Sequence, residues 1–189
     1  MSDDDTSDPQ QIVASLKRAA AVLREAGVPF ALGGGLACWA HGGPASYHDV
    51  DLMVREADAH AAQQALVTAG MRPEDPPEDW LVKVYDGDVL IDLVFRPVGQ
   101  TIDDELLARS AERDVEAVRM KVMPLEDVLT TQLLAMDEHY LDYAGPLATA
   151  RAVREQVDWE TLRTRTKSSP YAQAFFALLE GLGVLSSRS

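Results

Sequence analysis

Cysteine is almost absent. Cys38 stands alone, which excludes an internal disulfide and any zinc site built on cysteines; its expected place is that of a small buried apolar side chain. Long hydrophobic runs are missing too, and no stretch approaches the roughly 20 apolar residues of a membrane-spanning helix. The opening MSDDDTSDP is acidic where a secretory leader would be basic and then apolar. A cytoplasmic protein with no membrane partner is therefore expected. Cations are scarce as well, with 17 Lys and Arg against 31 Asp and Glu and a net charge of −14. Such a surface repels nucleic-acid backbones and gives no steering toward them. The one late concentration of cations, Arg151, Arg154, Arg163, Arg165 and Lys167, reads either as a local patch or as solvated helix faces.

What remains is an ordinary globular composition, 47% apolar and 25% charged over 189 residues. That is enough chain for one domain, or for an α/β domain with a helical appendage. The stretch on which the chain turns is FALGGGLACWAHGGPASYHDVDLMV, residues 30–54. It reads as a strand, a glycine turn, a short helix from Leu36 to Ala40 and a second strand. Because strand side chains alternate, Asp49 and Asp51 share one face with Met53, while Val50, Leu52 and Val54 take the other. Two carboxylates side by side raise each other's pKa unless a cation intervenes. Oxygen ligands with no cysteine or histidine cluster nearby favour Mg²⁺. Gly33, Gly34 and Gly35 remove Cβ atoms where the chain leaves a strand, so a phosphate can approach backbone N–H groups at the start of the next helix. His48, beside the pair, is either a phosphate or substrate contact or a plain hydrogen-bond partner of the carboxylates.

A third carboxylate follows in VLIDLVF. Val89, Ile91, Leu93 and Phe95 alternate onto one face, so Asp92 points the other way, and an acid inside so apolar a strand calls for a partner or a metal. Leu81–Tyr85 and Val89–Phe95 flank Asp86-Gly87, a tight-turn signal for a hairpin. Lys83 then lies on the side of Asp92, either to neutralise phosphate charge or as a solubilising edge-strand lysine.

The rest of the chain alternates helix and strand and then turns helical. Asp8-Pro9 is an N-cap followed by proline at the first helical position, and Ile12, Leu16, Ala19, Ala20 and Leu23 recur at helical spacing up to Gly27 and Pro29. An Ala-rich helix over 57–69 follows the aspartates, and MRPEDPPEDW reads as a surface loop. After a short helix beginning near Asp103, a second β pair is expected over 115–118 and 121–123. A helix then runs from Pro124 through Met136, with Glu126 and Asp127 favourable in its first turn. Further helices are expected from Ala144 to Val157 beyond a loop at Gly145-Pro146, after an Asp158 cap, and from Ser169-Pro170. In the last of these Phe175, Phe176, Leu178, Leu179 and Leu182 form an apolar face, expected to pack on the helix from Pro124 and close the cleft. The expected organisation is an acidic tail over 1–9, a mixed sheet flanked by helices over 10–123 (an α/β, or α+β, class) and a C-terminal helical region over 124–189 packed on it.

With Gly34-Gly35, Asp49-Val50-Asp51 and Asp92 in this order and these strand contexts, the region from Phe30 to Arg96 resembles the nucleotidyltransferase superfamily that includes DNA polymerase β and many small bacterial nucleotidyltransferases. The resemblance implies an Mg²⁺-dependent transfer of NMP from an NTP, ATP among the candidates, with release of pyrophosphate. Asp49, Asp51 and Asp92 would be the metal ligands of a two-metal site, and Asp92 would assist deprotonation of the acceptor. Gly34 and Gly35 would cradle the triphosphate. The acceptor stays open among a small molecule, a protein side chain and a tRNA end, the acidic net charge favouring the first two. Two positions depart from the pattern. Gln132 stands where relatives often carry a phosphate-holding lysine, and an amide brings no charge. Ser46 stands one residue away from the usual hydroxyl before the aspartates. A non-catalytic nucleotide-binding or interaction module on the same fold is the rival reading.

Overall fold

A computed structural model describes residues 8–44 and 48–186, and a seven-stranded mixed sheet is their frame. The chain enters through α1 (Pro9–Glu25), where Asp8 caps by accepting from the Gln10 N–H and Ile12, Leu16, Ala19, Ala20 and Leu23 are fully buried, the face that their spacing predicted. There follow β1 (Phe30–Leu32), α2 (Gly34–Ala40), β2 (Val50–Val54), α3 (Glu56–Thr68), β3 (Arg72–Glu74), β4 (Leu81–Asp86) and β5 (Val89–Val94). The second half contains α4 (Asp104–Arg109), β6 (Ala111–Val115), β7 (Val118–Val122), α5 (Leu125–Leu134), α6 (Ala144–Val153) with a 3-10 turn at Arg154–Gln156, α7 (Trp159–Thr166) and α8 (Pro170–Gly181). In space the strands run β3-β4-β5-β2-β1-β7-β6. The β2–β5 and β1–β7 pairs are parallel and the others antiparallel.

Four local expectations need correction. The stretch read as a loop contains β3, which pairs with β4; Pro73 is tolerated there because β3 is the sheet's edge and needs no N–H on its outer side. The hairpin turn sits one residue later than Asp86-Gly87. Asp86 pairs with Val89, and Gly87, with φ of 63°, begins the two-residue loop. The second β pair starts at Ala111 and turns through Glu116 and Ala117, with φ of 48° and 66°. A two-residue hairpin of this kind demands positive φ at both central positions, and neither Glu nor Ala signals it. Gly145 and Pro146 belong to the first turn of α6 rather than to a loop, where a missing N–H costs nothing.

Two apolar clusters result. The larger fills both sides of the sheet under α1, α2, α3 and α4, and the smaller joins α5 to α6, α7 and α8 through Leu129, Leu133, Phe175, Phe176 and Leu179. As expected, α8 packs against α5, although Leu182 lies outside its buried face at 47% exposure. Between the clusters Asp127, only 1% exposed, is an ionic junction. Its Oδ1 accepts from Arg109 Nη2 at 2.8 Å and from Arg165 Nη1 at 2.7 Å, and its Oδ2 accepts from Arg109 Nε at 3.1 Å. Gln100 Oε1 accepts from Arg165 Nη2 at 2.9 Å, while Gln100 Nε2 donates to the Asp127 carbonyl and to Thr131 Oγ1. Part of the late cationic stretch is thus internal: Arg165 goes to this junction, and Arg163 pairs with Glu180 at 2.8 Å.

Removing one partner of a buried pair strands the other, but Arg109 and Arg165 are 42% and 29% exposed and can recover water. Asp127→Ala is therefore expected to cost about 2 kcal/mol in urea denaturation, below the 3–5 typical of wholly buried pairs. A change under ~0.5 kcal/mol, the usual size for a surface substitution, would show that the junction is not structural.

Candidate active site

Sheet register assembles the site. Asp51 on β2 is opposite Asp92 on β5, Asp92 is opposite Lys83 on β4, and Lys83 is opposite Glu74 on β3. Paired residues project to the same face, so one rung carries Asp51, Asp92, Lys83 and Glu74 in line. The Gly33 N–H donates to the Asp51 carbonyl at 2.9 Å, tying the turn after β1 to the rung's other flank. Asp49, just before β2 and two residues from Asp51, falls on the same side. One carboxylate oxygen from each of Asp49, Asp51 and Asp92 lies within 4.8 Å of the others.

Gly34 is required at this point for a reason different from phosphate access alone. Its φ is +54°, and a Cβ placed on it would overlap Asp51 Oδ2. The left-handed backbone and the approach of the carboxylate each call for glycine, so the turn and the acid fit as one unit.

Burial dominates the electrostatics. It pushes Asp51 well above the ordinary carboxylate range, and the charges of Asp49 and Asp92 add to the shift. Burial also raises Asp49, while His48 and Lys83 pull it back. Asp92, 8% exposed, rises to about 6, mainly through burial, with Asp49, Glu78 and Glu74 raising it and Lys83 opposing them. Its Oδ1 is buried with no hydrogen-bond partner. Three gathered carboxylates with an orphan oxygen form a donor set that can hold a hard cation.

A cavity of about 890 Å³ opens over this centre, between the α2 turn on one side and α5 and α6 on the other. Gly34, Gly35, His48, Asp49, Asp51 and Gln132 all line it. The Gln132 Oε1 atom is buried without a partner. Ser46 lies outside the described residues. The expectation that α8 closes the cleft is corrected: α5 and α6 form that wall, and α8 supports α5 from behind. Cys38, as expected, is buried. The residues that sequence reasoning missed are Trp80 and Tyr140 on the cavity wall and Glu78 near Asp92. All three sit in irregular segments, where no periodicity marks a facing side.

Because folding raises these three carboxylates, the folded chain holds more protons than the unfolded one from the ordinary value of 3.8 up to about 6 for Asp92. Stability from these groups is therefore lost as pH rises through that window. Asp51→Asn is expected to leave the metal-free protein at neutral pH as stable as the parent or slightly more so, with a flatter pH dependence in thermal melts. A variant that melts far below the parent with an unchanged pH slope would make Asp51 a structural hydrogen-bonding residue.

No helix among the described residues is long and apolar enough to cross a membrane. No curated protein matches the chain. Among solved structures, the solution structure of the antibiotic-resistance factor ANT(2'')-Ia is similar over 94% of this chain and 98% of its own, at 16% identity and a TM-score of 0.65. Lincomycin-bound LnuA, a lincosamide antibiotic adenylyltransferase, is similar over 85% and 99%, at 13% and 0.51. A putative nucleotidyltransferase of Thermotoga maritima, TM1012, is similar over 82% and 97%, at 15% and 0.51. Identities this low carry the fold alone. The family model for an uncharacterised nucleotidyltransferase matches residues 6–186, nearly the whole length over which the sheet, the acidic trio and the helical wall are laid out, and the chain belongs to that family.

Proposed function

We propose that the protein is an Mg²⁺-dependent nucleotidyltransferase that moves NMP from an NTP, with ATP the favoured donor, to a small-molecule or protein acceptor and releases pyrophosphate. The convergence of Asp49, Asp51 and Asp92 within 4.8 Å carries this reading. Family membership supports it, as do the adenylyl-2''-tobramycin bound to ANT(2'')-Ia and the adenylyltransferase activity of LnuA, which are small-molecule adenylylations on a similar fold. The net charge of −14 disfavours a nucleic-acid acceptor.

The donor set fits the metal, since the trio offers only carboxylate oxygens and Asp92 Oδ1 has no other partner. Asp49, Asp51 and Asp92 would hold it. Bound Mg²⁺ supplies neutralisation of phosphate charge and polarisation of the reacting oxygens. Asp92 would also assist deprotonation of the acceptor's nucleophile. Gly34 and Gly35 leave backbone N–H groups open to phosphate oxygens. Lys83, opposite Asp92 on the rung, offsets part of the negative charge, and Gln132 offers a neutral hydrogen-bonding group from the α5 wall.

Incubation of the protein with Mg²⁺ and ATP labelled at the α-phosphate, together with a metabolite and protein extract, is expected to yield labelled NMP on an acceptor. Asp51→Asn should reduce the yield at least ~100-fold, since even the partners of metal ligands are worth 10–100-fold. Label transfer that survives this substitution or a chelator would overturn the assignment. Gln132→Lys adds a charge-assisted contact worth on the order of 1 kcal/mol and is expected to tighten ATP binding about fivefold in calorimetry. Unchanged affinity would place Gln132 away from the phosphates.

A further inference from the structure

Away from the acidic trio the cavity is poor in free hydrogen-bonding groups. Its described lining contains neither lysine nor arginine, and beyond His48, Asp49 and Asp51 its polar side chains are Thr131, Gln132, Tyr140, Asp142 and Thr149. Three of these are already engaged. Thr131 Oγ1 accepts from Gln100 Nε2 at 2.6 Å and donates to the Asp127 carbonyl at 3.2 Å. Thr149 pairs with Cys38, and Asp142 Oδ1 accepts from the Ala144 N–H at 2.8 Å. A ligand body rich in hydroxyls or carrying an anionic group would give up water here without gaining partners.

Apolar surface takes the remaining space. Met53, Met123 and Met136, half of the chain's six methionines, line the cavity and are buried. Met53 is two residues beyond Asp51 on β2 and shares its face, so the apolar wall begins at the trio. Flexible thioethers of this kind adapt to bodies of more than one shape. Five large apolar side chains are exposed among the described residues, and three of them, Trp80, Val98 and Tyr140, line this same cavity. A fourth, Leu141, adjoins Tyr140 in the chain. Scattered exposed apolar residues need no explanation, but their concentration at one opening marks a ligand face. Two of them lie by the strand of Asp92: the Trp80 carbonyl accepts from the Phe95 and Arg96 N–H groups at 3.1 Å, just past the end of β5, and Val98 follows on that segment. The glycine turn assigned to the triphosphate lies on the other side of Asp51, next to β1.

We propose that the apolar part of the cavity at Trp80, Val98 and Tyr140 is the acceptor subsite, and that the acceptor is a small alcohol with an apolar body and no anionic group. This rests on the transferase reading and names the substrate class within it. Trp80 covers the body, the methionines accommodate its shape, and the hydroxyl is directed to the trio. In the reaction the acceptor's hydroxyl oxygen bonds to the α-phosphorus, and the bond from that phosphorus to the oxygen bridging to the β-phosphate breaks. The electron pair leaves with pyrophosphate, and the hydroxyl proton passes to Asp92.

The test uses the full chain with Mg²⁺, ATP labelled at the α-phosphate and three alcohols offered separately: 3-phenylpropanol, 4-(3-hydroxypropyl)benzoate and methyl glucoside. Label is expected on 3-phenylpropanol ~10-fold or more above the other two, the scale set by burying a ring against leaving a charge or hydroxyls unpaired. Trp80→Ala should raise KM for 3-phenylpropanol ~5-fold or more while KM for ATP and kcat stay within about twofold, and Trp80→Phe should restore most of the loss. Equal labelling of the three, preference for the benzoate or the glucoside, or no labelling of any while ATP still binds with Mg²⁺ in calorimetry would each overturn the subsite. So would a Trp80→Ala variant whose KM rises for ATP instead, since the rim would then hold the nucleobase. Absence of Mg²⁺-dependent ATP binding would strike the transferase reading itself, a failure distinguishable from the others.

Discussion

Repulsion among three gathered carboxylates is the constraint to which the centre of this protein is built. Asp49, Asp51 and Asp92 sit within 4.8 Å of one another at the end of a buried sheet, and burial raises the pKa of each. Left to itself such an arrangement would splay apart or stay protonated. Here the backbone holds it: the parallel β2–β5 register fixes Asp51 against Asp92, and the missing Cβ of Gly34 leaves room for the Asp51 carboxylate. The free energy spent on this geometry is recoverable when a cation or a charged substrate arrives, which is why strain of this kind gathers at functional sites.

The helical half has a complementary task. Its cluster gives α5 a rigid back, through Phe175, Phe176 and Leu179, so that the opposite side of α5 can stand as a cavity wall carrying Gln132. The Asp127 junction ties that helix to α4, to the segment at Gln100 and to α7 in one polar contact network. The α5 wall is thereby tied to both cores. A shift of α7 or α4 would be felt at the α5 wall, since interiors packed at crystal-like density transmit displacement rather than absorb it.

Charge is distributed with direction. The glycine turn flanks Asp51 on the β1 side, while Lys83 and Glu74 extend the rung beyond Asp92 on the other. Cations are unevenly supplied, with no lysine or arginine among the described residues of the cavity lining and Lys83 beside the trio.

Alternation and capping determined much of this from the amino-acid order alone. The α1 face, the caps at Asp8, Asp158 and Ser169, the apolar strands and the common side of Asp49 and Asp51 all follow from local periodicity, which depends on neighbours one to four residues away. The placement of Asp92 on the far face of its strand was legible for the same reason. The resemblance implied that Asp92 joins Asp49 and Asp51, as it does; only the tertiary structure decided the register that sets Asp92 against Asp51 and continues the rung through Lys83 and Glu74, because register between strands distant in sequence is set by core packing and not by either strand. The turn at Glu116 and Ala117 was invisible because its residues run against the backbone they adopt, and β3 was hidden by a proline that only an edge position permits. Glu78, Trp80 and Tyr140 lie in irregular backbone. There no period fixes the direction of a side chain, so the places of Trp80 and Tyr140 on the cavity wall and of Glu78 near Asp92 existed only once the sheet and the helical wall had been brought together.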